Sequence, residues 1–127
     1  MKTKLSLSII GFYNLIVGSA MLFFAEAIGN QIVNSENVEA IKMGEMFHYG
    51  LAPAILTIAF VLLLARNCSI DTAKNMLIGY IVGTLVLMYV FFGVLANEAL
   101  INFSIESAAP DIVFLAFAVF AYLKAKE

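Results

Sequence analysis

The sequence is poor in the residues from which most site chemistry is built. It has no tryptophan, one cysteine (Cys68), one histidine (His48), two prolines and only 13% charged residues. A lone cysteine excludes an internal disulfide and any CxxC redox pair. A lone histidine excludes bis-histidine haem ligation and the doubled Glu-x-x-His set of di-iron carboxylate proteins. A formal net charge of −2 argues against a nucleic-acid partner, which calls for a basic patch. Without tryptophan, anchoring at a membrane interface falls to tyrosine and phenylalanine.

What the chain has in plenty is apolar surface. At 127 residues it is 63% hydrophobic, more than a soluble domain of that size can hide. Four apolar runs, at about 5–25, 44–66, 76–96 and 109–123, are separated by polar stretches. They predict an all-α fold in which residues 1–127 form a single domain: an integral membrane four-helix bundle, up-down-up-down, with the lipid bilayer as its solvent. The fourth run would reach only ~22 Å as a helix, so it calls for a start further upstream, local thinning of the bilayer, or snorkelling of Lys124 and Lys126. Pro110 suits the first turn of that helix and Asp111 its positive end. The first run follows Lys2 and Lys4 and ends near Ala25-Glu26-Ala27, a leader-like pattern. Its apolar stretch is too long for a typical signal-peptide core, so it reads as a retained span.

Charge placement orients the spans. Lys2, Lys4, Arg66, Lys74, Lys124 and Lys126 fall at the two termini and the second loop, joined by Asp71 and Glu127. Glu26, Glu36, Glu39, Glu45, Glu98, Glu106 and Asp111 flank the first and third loops, with Lys42 alone among them. The positive-inside rule then predicts that both termini and the loop 67–73 are cytoplasmic, with the acidic loops facing outward. In the first outer loop, about 26–43, Asn34 or Ser35 is positioned to cap a short helix through Lys42. In the inner loop Asp71 or Thr72 is positioned to cap the third span.

Lipid gives no hydrophobic drive between helices, so small and polar stripes mark the packing seams. Gly11, Asn14, Gly18, Met21 and Ala25 align in the first span. Asn75, Gly79, Gly83, Val86, Val90, Gly93 and Asn97 align in the third, where Gly79-xxx-Gly83 predicts internal packing, with a homodimer surface as the other reading. Asp111, Leu115, Ala118, Ala121, Tyr122 and Ala125 align in the fourth. In the second, Glu45, His48, Tyr49, Ala52, Leu56 and Ala59 share the face expected to meet protein, and Phe47, Leu51, Ile55, Ile58 and Leu62 the face expected to meet lipid.

The sharpest motif is Glu45-x-x-His48, since residues at i and i+3 on a helix can reach one cation. Pro53 removes an amide hydrogen and leaves the Tyr49 carbonyl without its usual partner, so a kink there would open an outward-facing polar pocket beside His48. The ligand-binding candidates are Glu45, His48, Tyr49, Asn14, Tyr89 and Asn97, with Tyr13 as a further neighbour. A metal would draw on His48 and Glu45 with Glu98 or Asp111. Against these stand plain structural roles: a hydrogen bond of His48 within the bundle, and an interhelical one for Asn14. No catalytic residue and no cofactor can be named.

The opening IIGFYNLIVGSAMLFF, the longer acidic first outer loop and the glycine-bearing second span resemble the DoxX-like group of small bacterial four-span proteins. Small multidrug exporters rely on a glutamate in the first helix, where this chain has Asn14. Quinone-reducing four-helix oxidoreductases need a cysteine pair. The DoxX-like resemblance covers most of the chain in layout and carries no functional residue with it. It implies a bacterial inner-membrane protein, and some members of the group resemble subunits of quinol-linked oxidases. The resulting expectation is an accessory or interaction subunit without catalytic activity, bound to a membrane-protein partner or to a second copy. The alternative is binding or transport of a small molecule or metal ion through the pocket around His48.

Overall fold

The computed structural model describes residues 2–126; Glu127, counted above with the basic end, lies outside them. The described residues form five α-helices and no strand: α1 (Thr3–Phe23), α2 (Ala25–Ile32), α3 (Val38–Leu64), α4 (Ile70–Tyr89) and α5 (Ile105–Leu123). A 3-10 turn, Ala65–Asn67, prolongs α3. A π turn, Val90–Val94, and a 3-10 turn, Leu95–Asn97, prolong α4. Four of these rods, Thr3–Phe23, Val38–Asn67, Ile70–Asn97 and Ile105–Leu123, are long and apolar enough to cross a membrane, the layout of a multi-pass membrane protein.

Capping side chains decide where the helices start. Asn37 Oδ1 accepts the backbone N–H groups of Glu39 (2.8 Å) and Ala40 (3.4 Å). Helix α3 therefore begins at Val38, six residues before the start expected at Gly44. The short helix foreseen in the first loop is its first turns, since nothing between Val38 and Pro53 breaks the pattern. Neither Asn34 nor Ser35 is the cap. Ser69, not Asp71 or Thr72, caps α4 by accepting the N–H of Thr72 at 3.3 Å. Ser104 does the same for Ser107 at the head of α5. That upstream start lengthens the fourth span and moves Asp111 from the first turn to the seventh residue of the helix, ~9 Å along it.

Helices α1 and α3 are the most closely packed pair, and glycine is the reason. A Cβ built on Gly11 would stand 2.8 Å from Leu63 Cγ and 3.3 Å from the Ala59 carbonyl; one on Gly18 would stand 2.8 Å from Leu56 Cγ. Gly29 of α2 meets the α3 backbone directly, with the Glu45 nitrogen 2.9 Å from where its Cβ would be. Numbers rise along α1 and α2 as they fall along α3, so α3 runs antiparallel to both. On α3 the inward residues are His48, Ala52, Ala59 and Leu62. Leu62, assigned to lipid by periodicity, is 4% exposed, and Tyr49, assigned to protein, is 41% exposed.

The α4 seam is also a correction. Gly79 and Gly83 face open space, with nothing within 4 Å of a Cβ built on either. The inward stripe is Ala73, Leu77 and Thr84, with Tyr80 partly buried beside it. Leu77 and Tyr80 bring packing area that Gly79 and Gly83 lack, so the stripe that carries them turns inward and the glycines go out.

The two ends of the molecule differ. At the end carrying the chain termini, Leu7, Ile10, Leu62, Ala73, Leu77, Ala118 and Ala121 form one buried apolar cluster. Around its rim the basic residues gather: Thr3 N–H donates to the Lys126 carbonyl (3.2 Å), and Lys4 and Arg66 line an open groove of about 560 Å³. At the far end, the loops are tied by Asn34 N–H to the Leu100 carbonyl (2.8 Å) and Asn102 N–H to the Ile32 carbonyl (2.7 Å).

Gly18→Leu drives a side chain into Leu56 and is expected to destabilise the fold by about 1–3 kcal/mol. Gly79→Leu, made into open space, should stay within about 0.5 kcal/mol of the parent. Reversible unfolding in mixed micelles measures both.

Candidate functional site

The polar residues that the fold brings together lie between α1, α4 and α5, not around His48. The Tyr13 hydroxyl donates to Asp111 Oδ1 at 2.7 Å, across 98 residues of sequence. Its ring stacks on Phe114, one turn further along α5, with centroids 3.7 Å apart and planes 12° from parallel. Tyr13 is thus held from two sides by one helix: the stack fixes the ring and the carboxylate fixes the hydroxyl. From α4, the partly buried Tyr80 side chain lies near those of Asn14, Thr84 and Asp111. Asn14 is 8% exposed and Thr84 6%. Each also donates to the carbonyl four residues back, Asn14 Nδ2 to Ile10 and Thr84 Oγ1 to Tyr80, both at 2.8 Å.

Asp111 has no cationic partner among the described residues. Ionisable side chains within apolar spans are rare, costly and a mark of functional sites. Asp111 is such a side chain. It is half-buried against a tyrosine from another helix.

The residues around His48 are arranged differently from the pocket foreseen. His48 is 5% exposed, and its Nδ1 lies 2.7 Å from the Gly44 carbonyl. A carbonyl only accepts, so Nδ1 carries the hydrogen and points back along its own helix. Glu45 does not share a ligand with His48; its Oε2 pairs with Lys42 Nζ at 2.7 Å. Tyr49 and Tyr89 are exposed at 41% and 71%. Asn97, also exposed, donates to the carbonyls of Gly93 (3.1 Å) and Phe92 (3.5 Å), which the π turn leaves irregularly paired. Of the ligand-binding candidates only Asn14 belongs to the central cluster. Among the described residues, no three His, Cys, Asp or Glu side chains are grouped to hold a metal, so His48, Glu45, Glu98 and Asp111 do not form one ligand set.

Tyr80 and Thr84 are the site residues that sequence reasoning missed. A signal was present: Ala73, Leu77, Tyr80 and Thr84 recur at helical spacing, and the last two carry hydroxyls near the middle of α4. Comparison with protein-family profiles, curated proteins and solved structures finds no match to this chain.

If the Tyr13–Asp111 bond links the helices, Tyr13→Phe should cost stability while leaving the ring stack in place. A double-mutant cycle of Tyr13→Phe with Asp111→Asn, read by unfolding in micelles, should show a coupling of about 0.6–1.7 kcal/mol, the range for interhelical hydrogen bonds in membrane proteins. Additive effects would mean that the two side chains act separately.

Proposed function

We propose that this chain is an accessory subunit of a larger bacterial inner-membrane assembly, without catalytic activity of its own. In this reading the four long helices insert as an up-down-up-down bundle with both termini in the cytoplasm. The bacterial setting follows the DoxX-like layout. The orientation follows the basic residues at the terminal end.

One observation carries the reading: the outward face of α4. Gly79 and Gly83 stand one turn apart with open space over both, beside exposed Ile78, Val82 and Val86. Small-xxx-small faces let two helix backbones approach closely in a membrane, where association depends on packing and not on hydrophobic burial. Of the four spans α4 is also the least covered, with 11% of its most apolar stretch buried. A transmembrane helix of a partner protein fits there.

Purification in mild detergent is expected to bring that partner down with the wild type. Gly79→Leu combined with Gly83→Leu should lose it while bundle stability is kept. A lone monomer from native membranes would sink the reading, and disulfide capture of Gly79→Cys with itself would make the partner a second copy. For the orientation, a membrane-impermeant thiol reagent applied to intact cells should label Glu36→Cys and spare Cys68. The alternative, a small-molecule or metal site at His48, requires His48→Ala or Glu45→Ala to change the bound content measured by mass spectrometry.

A further inference from the structure

We propose that Asp111 is a proton-exchanging site, reached from the end of the bundle opposite the chain termini and sealed from the terminal end. Three observations independent of the docking face meet at this residue.

The first is the charge environment. The titratable groups that face Asp111 are Tyr13 from α1 and Tyr80 from α4, and neither supplies positive charge. The carboxylate has one hydrogen-bond donor, Tyr13, and a single negative charge in an apolar span calls for a neutralising partner.

The second is access. A cavity of about 80 Å³ opens at the far end between the π turn of α4 and the head of α5, lined by Phe91, Leu95, Ile101, Asn102, Phe103 and Ser107 among others. Ser107 stands one helical turn before Asp111 on the same side of α5. The volume would admit a few waters at ~30 Å³ each, with the Asn102 and Ser107 side chains the polar groups on its wall, and lies far below the ~300–1,000 Å³ of ordinary ligand pockets. Its mostly apolar walls provide little to replace the water shell of a metal ion, whereas a proton needs only water and hydroxyls. A π turn at the cavity wall fits a functional opening, since such turns recur at functional sites.

The third is the seal. On the terminal side of the Tyr13–Asp111 level, Leu7, Ile10, Leu62 and Leu77 are buried in one apolar cluster, and the Ser6 hydroxyl beside them is turned to the Lys2 carbonyl of its own helix. Exchange therefore has one open direction. A proton delivered by hydronium in the cavity is taken up on the Asp111 carboxylate and leaves water behind; release reverses the step.

The test is infrared spectroscopy of the full chain in lipid nanodiscs with ¹³C-labelled aspartate. The chain has two aspartates, Asp71 and Asp111, so Asp71→Asn isolates the signal of interest even if Asp111→Asn fails to fold. A protonated-acid carbonyl band that appears on acidification and vanishes on alkalinisation between about pH 4 and 9, survives in Asp71→Asn and shifts in Tyr13→Phe is the expected result. Ser107→Leu, which fills the approach, should slow hydrogen–deuterium exchange of that band by about tenfold. A band that does not change across that range overturns the proton site. An exchange rate unaffected by Ser107→Leu overturns the route.

Discussion

Apolar surroundings offer polar side chains nothing to bond to, and the packing of these apolar helices reflects that fact. Their mid-span hydroxyls, amide and carboxylate must find one another, and the Tyr13–Asp111 bond at 2.7 Å is where they do so. Helix α4 turns Tyr80 and Thr84 toward the same region, near Asn14 and Asp111. The position of Asp111 has its own cause: α5 starts at Ile105, which carries the carboxylate past the helix end to the level of Tyr13.

Close backbone approach does the complementary work. Gly11, Gly18 and Gly29 bring α1 and α2 against α3 and leave little freedom in that half. The α4–α5 half has no such glycine seam and relies on rings and hydroxyls. The outcome is a tight pair of rods beside a looser pair. In the proposed assembly the looser pair would meet the partner, and it also borders the small far-end cavity.

Much of this was readable in the residues, and the misreadings have physical causes. The four apolar spans and the α1 seam through Gly11, Asn14 and Gly18 follow from periodicity, as does the inward placing of His48, Ala52 and Ala59. The Gly79-xxx-Gly83 pair was expected to pack inside the bundle, yet open space lies over both glycines; small residues suit internal and external faces equally, so their spacing alone does not decide the side. Asp111 was assigned to a helix end because its cap, Ser104, lies outside the apolar run that marked the span. The His48 pocket was built on i,i+3 spacing, which brings two side chains near each other without deciding what they bond. Here Lys42 takes Glu45, and the Gly44 carbonyl takes His48.

The π turn at Val90–Val94 carries a geometric meaning beyond its place in the cavity wall. It gives α4 one residue more than a regular helix would use over the same rise. Everything beyond it is therefore set about 100° out of phase with Tyr80 and Thr84. Within the turn Phe92 lies edge-on to Phe103, with ring centroids 5.4 Å apart, and beyond it Asn97 bonds back to the Phe92 and Gly93 carbonyls. The last turns of α4 and the rest of the same helix thus answer to different neighbours. A relative of this chain shorter by one residue in that segment would keep every span and lose the aromatic closure over its far end.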